Sequence, residues 1–260
     1  DLVIWSESSV THVAPSNAYR EEYKRYVGRL LGVPTIFGGI IYDVDSMSAN
    51  GRGHERLYNT ALATNARGDV VGRYDKEFLL AFGEYLPFGE TFPVLYEWSP
   101  NSGRFSSGTS LDPVPVVTAS GKHDVSVLIC YEDIIQSYTN RMVSHAHPEL
   151  LVNMTNDAWF GDTSEPWEHL ALSQFRAIEH HRYFVRATNS GVSAIIDPVG
   201  RVMVHSKPFD QEHGDAIVHW LKSSTIYELV GDALQWLISR LALLGAFVRK
   251  ERVAALFKRA

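Results

Sequence analysis

Apolar and polar positions alternate along most of this chain in short runs, with a few stretches of helical spacing between them. Residues 17–31 place Tyr19, Tyr23, Tyr26, Val27 and Leu30 on one helix face, and Gly32-Val33-Pro34 ends that pattern. Residues 35–41 form an apolar run that predicts a buried strand, and the polar, glycine-containing stretch 45–55 predicts a hairpin loop. Residues 57–64 and 70–74 alternate around the turn Asn65-Ala66-Arg67-Gly68 and predict a strand pair. Further strands are predicted at 114–118, 125–129, 150–154, 193–196, 202–205 and 216–220, and helices at 134–144 and 167–181. Strands interleaved with helices predict a layered α/β domain.

Two stretches break the pattern. Residues 78–110 have no regular period, yet carry Phe82, Tyr85, Phe88, Phe92, Leu95, Tyr96 and Trp98. That is too aromatic for disorder and long for a plain connection. Its rings either pack back onto the sheet or form an apolar lid. Residues 233–248 are mostly apolar and precede Arg249-Lys250-Glu251-Arg252. As a helix this run spans about 24 Å, short of a hydrocarbon core of about 30 Å. Arg240 near its middle adds a cost. An interfacial helix and a membrane span both fit.

Composition narrows the classes. With 260 residues and 45% hydrophobic positions, the chain can bury one substantial core. A net charge of -6 gives no polybasic field, which argues against nucleic acid as a partner. The single cysteine excludes an internal disulfide and assigns no redox compartment. His145 and His147, beside Pro148, read as solvated rather than chelating, and no Cys/His cluster has zinc-site spacing. Neither a metal nor a cofactor is expected.

Candidate chemistry lies at the ends of three strand-like runs. Cys130 follows Val125-Ser126-Val127-Leu128-Ile129 and precedes Tyr131-Glu132-Asp133. Glu7 closes Leu2-Val3-Ile4-Trp5-Ser6, and Lys76 closes Gly72-Arg73-Tyr74-Asp75. Taken singly, these read as a core cysteine, an exposed acid and a solvated lysine. Taken together, they sit where strand ends converge on one sheet edge. The set resembles the Glu-Lys-Cys triad of the nitrilase (carbon-nitrogen hydrolase) superfamily.

Ordered motifs sharpen the resemblance. Tyr74-Asp75-Lys76, Phe82-Gly83-Glu84-Tyr85, Ile129-Cys130-Tyr131-Glu132-Asp133 and Asn153-Met154-Thr155-Asn156-Asp157-Ala158-Trp159-Phe160-Gly161-Asp162 resemble the apolipoprotein N-acyltransferase branch. Arg176-Ala177-Ile178-Glu179, Arg186-Ala187-Thr188-Asn189-Ser190-Gly191 and Ile196-Asp197-Pro198-Val199-Gly200-Arg201 follow in the same order, over about residues 1 to 232. Ser6 and Ala81 stand where that branch usually has proline; neither change removes a reactive group.

The resemblance implies a four-layer α-β-β-α nitrilase-type sandwich over residues 1–228, with a C-terminal transmembrane or interfacial helix and basic tail over 229–260. Because residue 1 already lies in a strand, the chain reads as N-terminally truncated, lacking at least a first strand and helix. The resemblance further implies Cys130 as nucleophile, Glu7 as general base and Lys76 as oxyanion stabiliser, with Glu84, Tyr131 and Glu132 in support. The implied reaction moves an acyl chain from a phospholipid, through a Cys130 thioester, to the amine of a diacylglyceryl-cysteine lipoprotein. The implied place is the bacterial inner membrane, with the catalytic domain facing the periplasm. Two readings compete: a soluble amidase using the same triad, and an inactive module that binds lipid or protein. The aromatic loop and the apolar tail argue against the first, and the complete triad against the second.

Overall fold

The computed structural model describes residues 1–27, 32–44 and 55–257. The predicted loop 45–55 lies outside the described residues except for Glu55, as do residues 28–31 of the first predicted helix. In chain order the elements are β1 (Val3–Ile4), β2 (Val13–Pro15), α1 (Tyr19–Tyr26), β3 (Thr35–Val44), β4 (Glu55–Thr64), β5 (Val70–Asp75) and α2 (Val94–Trp98). There follow β6 (Val114–Thr118), β7 (Gly121–Ile129), α3 (Gln136–Ala146), β8 (Leu150–Thr155), α4 (Glu165–His180), β9 (Phe184–Thr188), β10 (Ala194–Ile196), β11 (Val202–His205), α5 (Ile226–Val230) and α6 (Ala233–Phe257).

Two sheets stack face to face. The first has the order β1-β3-β4-β5, with β2 also paired to β3, and the second runs β11-β10-β9-β8-β7-β6. Strands β7, β8 and β9 are parallel, joined through α3 and α4, so their C-terminal ends share one edge. Neighbouring residues of β3 point to opposite faces, and each finds its own core. Ile36 packs with Ala61, Ala63, Tyr74, Val116 and Val127 between the sheets. Phe37 packs with Ala14, Tyr23, Ile41 and Leu62 beneath α1. Met142 and Val143 of α3, with Leu170 and Ala177 of α4, close the far side of the second sheet. Strand β8 is therefore covered on both faces, which explains why it is buried at every position. The layers are α-β-β-α, as the resemblance implies.

Several boundaries differ from the sequence reading. Strands β2 and β9 were not foreseen, and residues 216–220 form no strand. Those residues keep an alternating exposure, and Trp220 stacks on His123 with ring centroids 4.0 Å apart. Alternation alone does not make a strand; it also needs a neighbouring edge to bond. The aromatic segment 78–110 is split by exposure. Leu86 and Tyr96 are buried, whereas Phe82, Phe88, Phe92 and Trp98 are exposed. The tail is a helix, α6, whose Leu234, Trp236, Leu237, Ile238, Leu241, Leu243 and Leu244 are exposed. Among the described residues, no helix is long and apolar enough to cross a membrane.

Candidate active site

Glu7 owes its position to an interruption in the sheet. Strand β1 pairs Val3 with Thr35 and β2 pairs Val13 with Ile40, both along the same neighbour, β3. The chain between them bulges away and carries Glu7. The bulge is stitched back by Trp5 N–H to the Ile36 carbonyl at 2.8 Å and Val10 N–H to the Gly38 carbonyl at 3.0 Å. It can lie this close only because residue 38 is glycine. A Cβ there would stand 2.3 Å from the Ser8 nitrogen and 2.8 Å from the Ser6 oxygen.

Lys76 follows directly on β5. Its N–H donates to the Asn59 carbonyl at 2.9 Å, and its carbonyl accepts from Gly108 N–H at 2.8 Å. Cys130 follows directly on β7 and opens the 3-10 turn Cys130–Ile134. Its backbone is left-handed, with φ 55°, a conformation a non-glycine residue holds only when its surroundings over-determine it. Cys130 itself is half-buried.

The structure brings the three predicted groups together. Lys76 is 1% exposed, and its ammonium lies 2.7 Å from Glu84 Oε2 and 4.0 Å from Glu7 Oε1. Asn59, which the sequence reading missed, donates its side-chain amide to Glu7 Oε1 at 2.6 Å and Glu84 Oε1 at 2.9 Å. The Leu80 N–H fixes the second oxygen of Glu84 at 2.8 Å. Burial pushes the Glu7 carboxyl above its ordinary range, more than Lys76 and Asn59 pull it down. Burial alone would lower the Lys76 ammonium, but Cys130, Glu7 and Glu84 outweigh it and hold it above its usual value. The Cys130 thiol is pushed up to about 12, by burial first and then by the Glu7 charge. The thiol is therefore protonated near neutral pH and needs a base beside it.

Glu132 and Tyr131 sit beside this cluster. Glu132 is fully buried, where the sequence suggested a pocket-lining group, and ties the Cys130 turn to the loop after Lys76. One oxygen accepts the N–H groups of Glu77 (2.8 Å) and Phe78 (2.9 Å). The other accepts Ile129 N–H (2.7 Å) and the Tyr74 hydroxyl (2.8 Å). Tyr131 donates its hydroxyl to the Leu79 carbonyl at 3.0 Å, and its ring centroid lies 5.6 Å from Lys76 Nζ.

Behind the turn lies a second polar cluster, whose Asp133, Asn153, Asp157 and Arg186 the sequence showed only as motif positions without a role. Arg186 is 1% exposed and donates to Asn153 Oδ1 and to Asp157 Oδ2, each at 2.8 Å. Asp133 accepts His169 Nε2–H at 2.8 Å and the Ser173 hydroxyl at 2.6 Å. Asp157, Glu165 and His169 each offer one ligand atom within 4.8 Å of the others. Burial pulls His169 down, but the acids, Asp133 foremost, raise it to about 9, and Arg186 Nη2 already pairs with Asp157 Oδ2 at 2.8 Å. A cavity of about 700 Å³ lies beside β1, lined by Ile4, Trp5, Ala194, Ile195 and Val204, but none of Glu7, Lys76 and Cys130 lines it.

A family model described as carbon-nitrogen hydrolase matches residues 32–228. The chain is 32% identical over 244 residues to a Geobacter metallireducens protein named apolipoprotein N-acyltransferase, covering 91% of this chain and 43% of that protein. A protein of the same name from Rhizobium meliloti is 34% identical over 211 residues, covering 78% and 37%. The chain thus spans less than half the length of these relatives. Among solved structures, a mutant of the Nesterenkonia AN1 amidase from the nitrilase superfamily superposes with a TM-score of 0.53 at 18% identity, over 80% of this chain and 75% of that one. The glutamine-dependent NAD+ synthetase of Acinetobacter baumannii gives a TM-score of 0.54 at 18% identity, over 82% and 38%. Likeness at this identity speaks for the fold alone.

Proposed function

We propose that this chain, which belongs to the carbon-nitrogen hydrolase family, carries out N-acyl transfer from a phospholipid to a lipoprotein through a thioester on Cys130. The observation that carries the chemistry is the convergence of Glu7, Lys76 and Glu84 in one buried cluster next to a strained cysteine. The choice of transfer over hydrolysis leans on the relatives named apolipoprotein N-acyltransferase.

The steps follow from the groups present. Glu7 takes the proton of the Cys130 thiol as sulfur attacks the ester carbonyl of the donor. Lys76, with the N–H of Tyr131, stabilises the tetrahedral oxyanion. The proton on Glu7 passes to the departing lysophospholipid oxygen, leaving an acyl thioester. The amine of a diacylglyceryl-cysteine then attacks that thioester, Glu7 accepts its proton, and the thiol is restored. Lys76 enters the reaction positively charged: burial would lower its ammonium, but Cys130, Glu7 and Glu84 hold it above the usual range, and Glu84 stays paired with it at 2.7 Å when Glu7 carries the proton. This chemistry takes its groups from the chain's own side chains.

The exposed Phe82, Phe88, Phe92 and Trp98 suit an apolar acyl chain or a bilayer surface near the site. The exposed apolar residues in the first half of α6, with Arg249, Lys250 and Arg252 further along the same helix, suit attachment to the same membrane. In this reading the catalytic domain faces the periplasm of a bacterial inner membrane. A small-molecule amidase would use the same triad, with water in place of the amine.

The test is the fate of the acyl group. The acylated protein, in detergent or bilayer, is offered a diacylated N-terminal cysteine peptide or buffer alone. Rapid discharge to the peptide, with free fatty acid a minor product, is expected. Ready discharge to water with fast turnover of small amides would replace the transferase with the amidase.

A further inference from the structure

Arg186 touches none of the reacting groups, yet it is among the largest fully buried side chains of the molecule. A buried guanidinium is costly unless its geometry fulfils a need. Its two terminal nitrogens reach in different directions. Nη1 donates to Asn153 Oδ1 at 2.8 Å, and Nη2 to Asp157 Oδ2 at 2.8 Å. Asn153 in turn spends its amide on the carbonyl of Cys130 at 2.8 Å and on that of Leu128 at 3.2 Å. The Cys130 carbonyl therefore hangs on a side chain that Arg186 orients. The same Nη1 lies 3.4 Å from Asp133 Oδ2, three residues further along the nucleophile's turn. Asp157 also accepts the Thr155 hydroxyl at 3.1 Å.

We propose that Arg186 is a positioning residue for the nucleophile: through Asn153 it fixes the left-handed turn at Cys130 and hence the place of the thiol. Glu132 anchors the same turn from the first sheet, so the strained residue is held from both sides. The competing explanation is that Arg186 only neutralises Asp133 and Asp157. Charge balance needs a cation. Positioning needs a fork, because Asn153 and Asp157 must be met together by one planar group.

Arg186→Lys separates the two. It keeps the charge and removes the fork. Two readouts are taken on the full protein: the second-order rate of Cys130 alkylation by iodoacetamide, and single-turnover acylation by phospholipid with kcat and KM. Alkylation and kcat are expected to fall about 10- to 100-fold with KM little changed, the scale on which a misplaced reacting group costs rate. Asn153→Asp, which keeps a partner for Arg186 but removes the donor to the Cys130 carbonyl, should give the same loss. The double variant should be no slower than the worse single one, since both act through one contact. Wild-type rates in folded Arg186→Lys, a change confined to KM, or additive losses would overturn the proposal. If Arg186→Lys does not fold, Asn153→Asp decides, and wild-type alkylation in it overturns the proposal. The inference rests on Cys130 being the nucleophile of the proposed function. Alkylation requires no particular acyl donor, so its outcome stands apart from failure of the transferase reading.

Discussion

The Glu84 carboxylate lies 2.7 Å from the Lys76 ammonium, nearer than Glu7 at 4.0 Å. Lys76 is therefore held chiefly by Glu84, to which the proposed mechanism gives no proton. Glu7, less tightly paired and raised by burial, is the carboxylate that mechanism uses as base.

Glu84→Gln should lower turnover by about 10- to 100-fold, by analogy with outer-shell groups that orient a ligand. Asn59 donates to one oxygen of Glu84 and Leu80 N–H to the other, so the amide keeps an acceptor for only one of them; the loss of one hydrogen bond should cost about 1 kcal/mol and leave the fold intact. Steady-state kinetics and a thermal melt check both halves. Unchanged kinetics would make Glu84 a bystander.

Gly38→Ala should displace the Glu7 bulge, because the added Cβ meets backbone atoms that cannot rotate away. Activity should drop by about 100-fold, the cost of roughly an ångström of misplacement at a reacting group. Lys76 and Cys130 stay where they are. Alkylation and turnover measured together would show the loss, and a wild-type rate would mean that the bulge tolerates the shift.

Truncating Glu132 to alanine should cost stability as well as rate. The N–H groups of Glu77, Phe78 and Ile129 lose their acceptor, at about 1–3 kcal/mol for each donor left buried and unpaired. Denaturant unfolding measures this directly. A stability equal to wild type would show that water or another acceptor replaces the carboxylate.

The pH dependence carries a sign. Glu7 acts as base only when ionised, and burial raises its pKa above the ordinary 4.5. The acid limb of Cys130 alkylation should therefore lie above pH 4.5, with reactivity lost as pH falls through it. Lys76 is held above its ordinary 10.5, so no loss from that group should appear below that pH. An acid limb at or below 4.5 would remove Glu7 from the base role.

Glu7, Lys76 and Cys130 were legible as a group because each ends a strand-like run, and a run that stops at a charged or reactive side chain marks a sheet edge. The layering was legible from strands interleaved with helices. Asn59, Asn153 and Arg186 were not. Each lies within a strand, where a polar residue reads as the solvent-facing half of an alternation. Stacking the two sheets turns Asn59 inward, and docking α4 on the outer face of the second sheet covers Asn153 and Arg186. Asn59 did leave a trace, since it shares a face with the buried Ala61 and Ala63. Residues 216–220 misled in the opposite sense, with a strand's period and no ladder to join. The break between β1 and β2 that presents Glu7 depends on Gly38 across the sheet, a long-range contact that local pattern does not encode.

The most direct test is the intact mass of the full protein after incubation with phospholipid and no acceptor. The account predicts one added acyl chain, cleavable by hydroxylamine, present in the wild type and absent from Cys130→Ala. An active protein that never carries the adduct, or a Cys130→Ala variant that still transfers acyl chains, would contradict it.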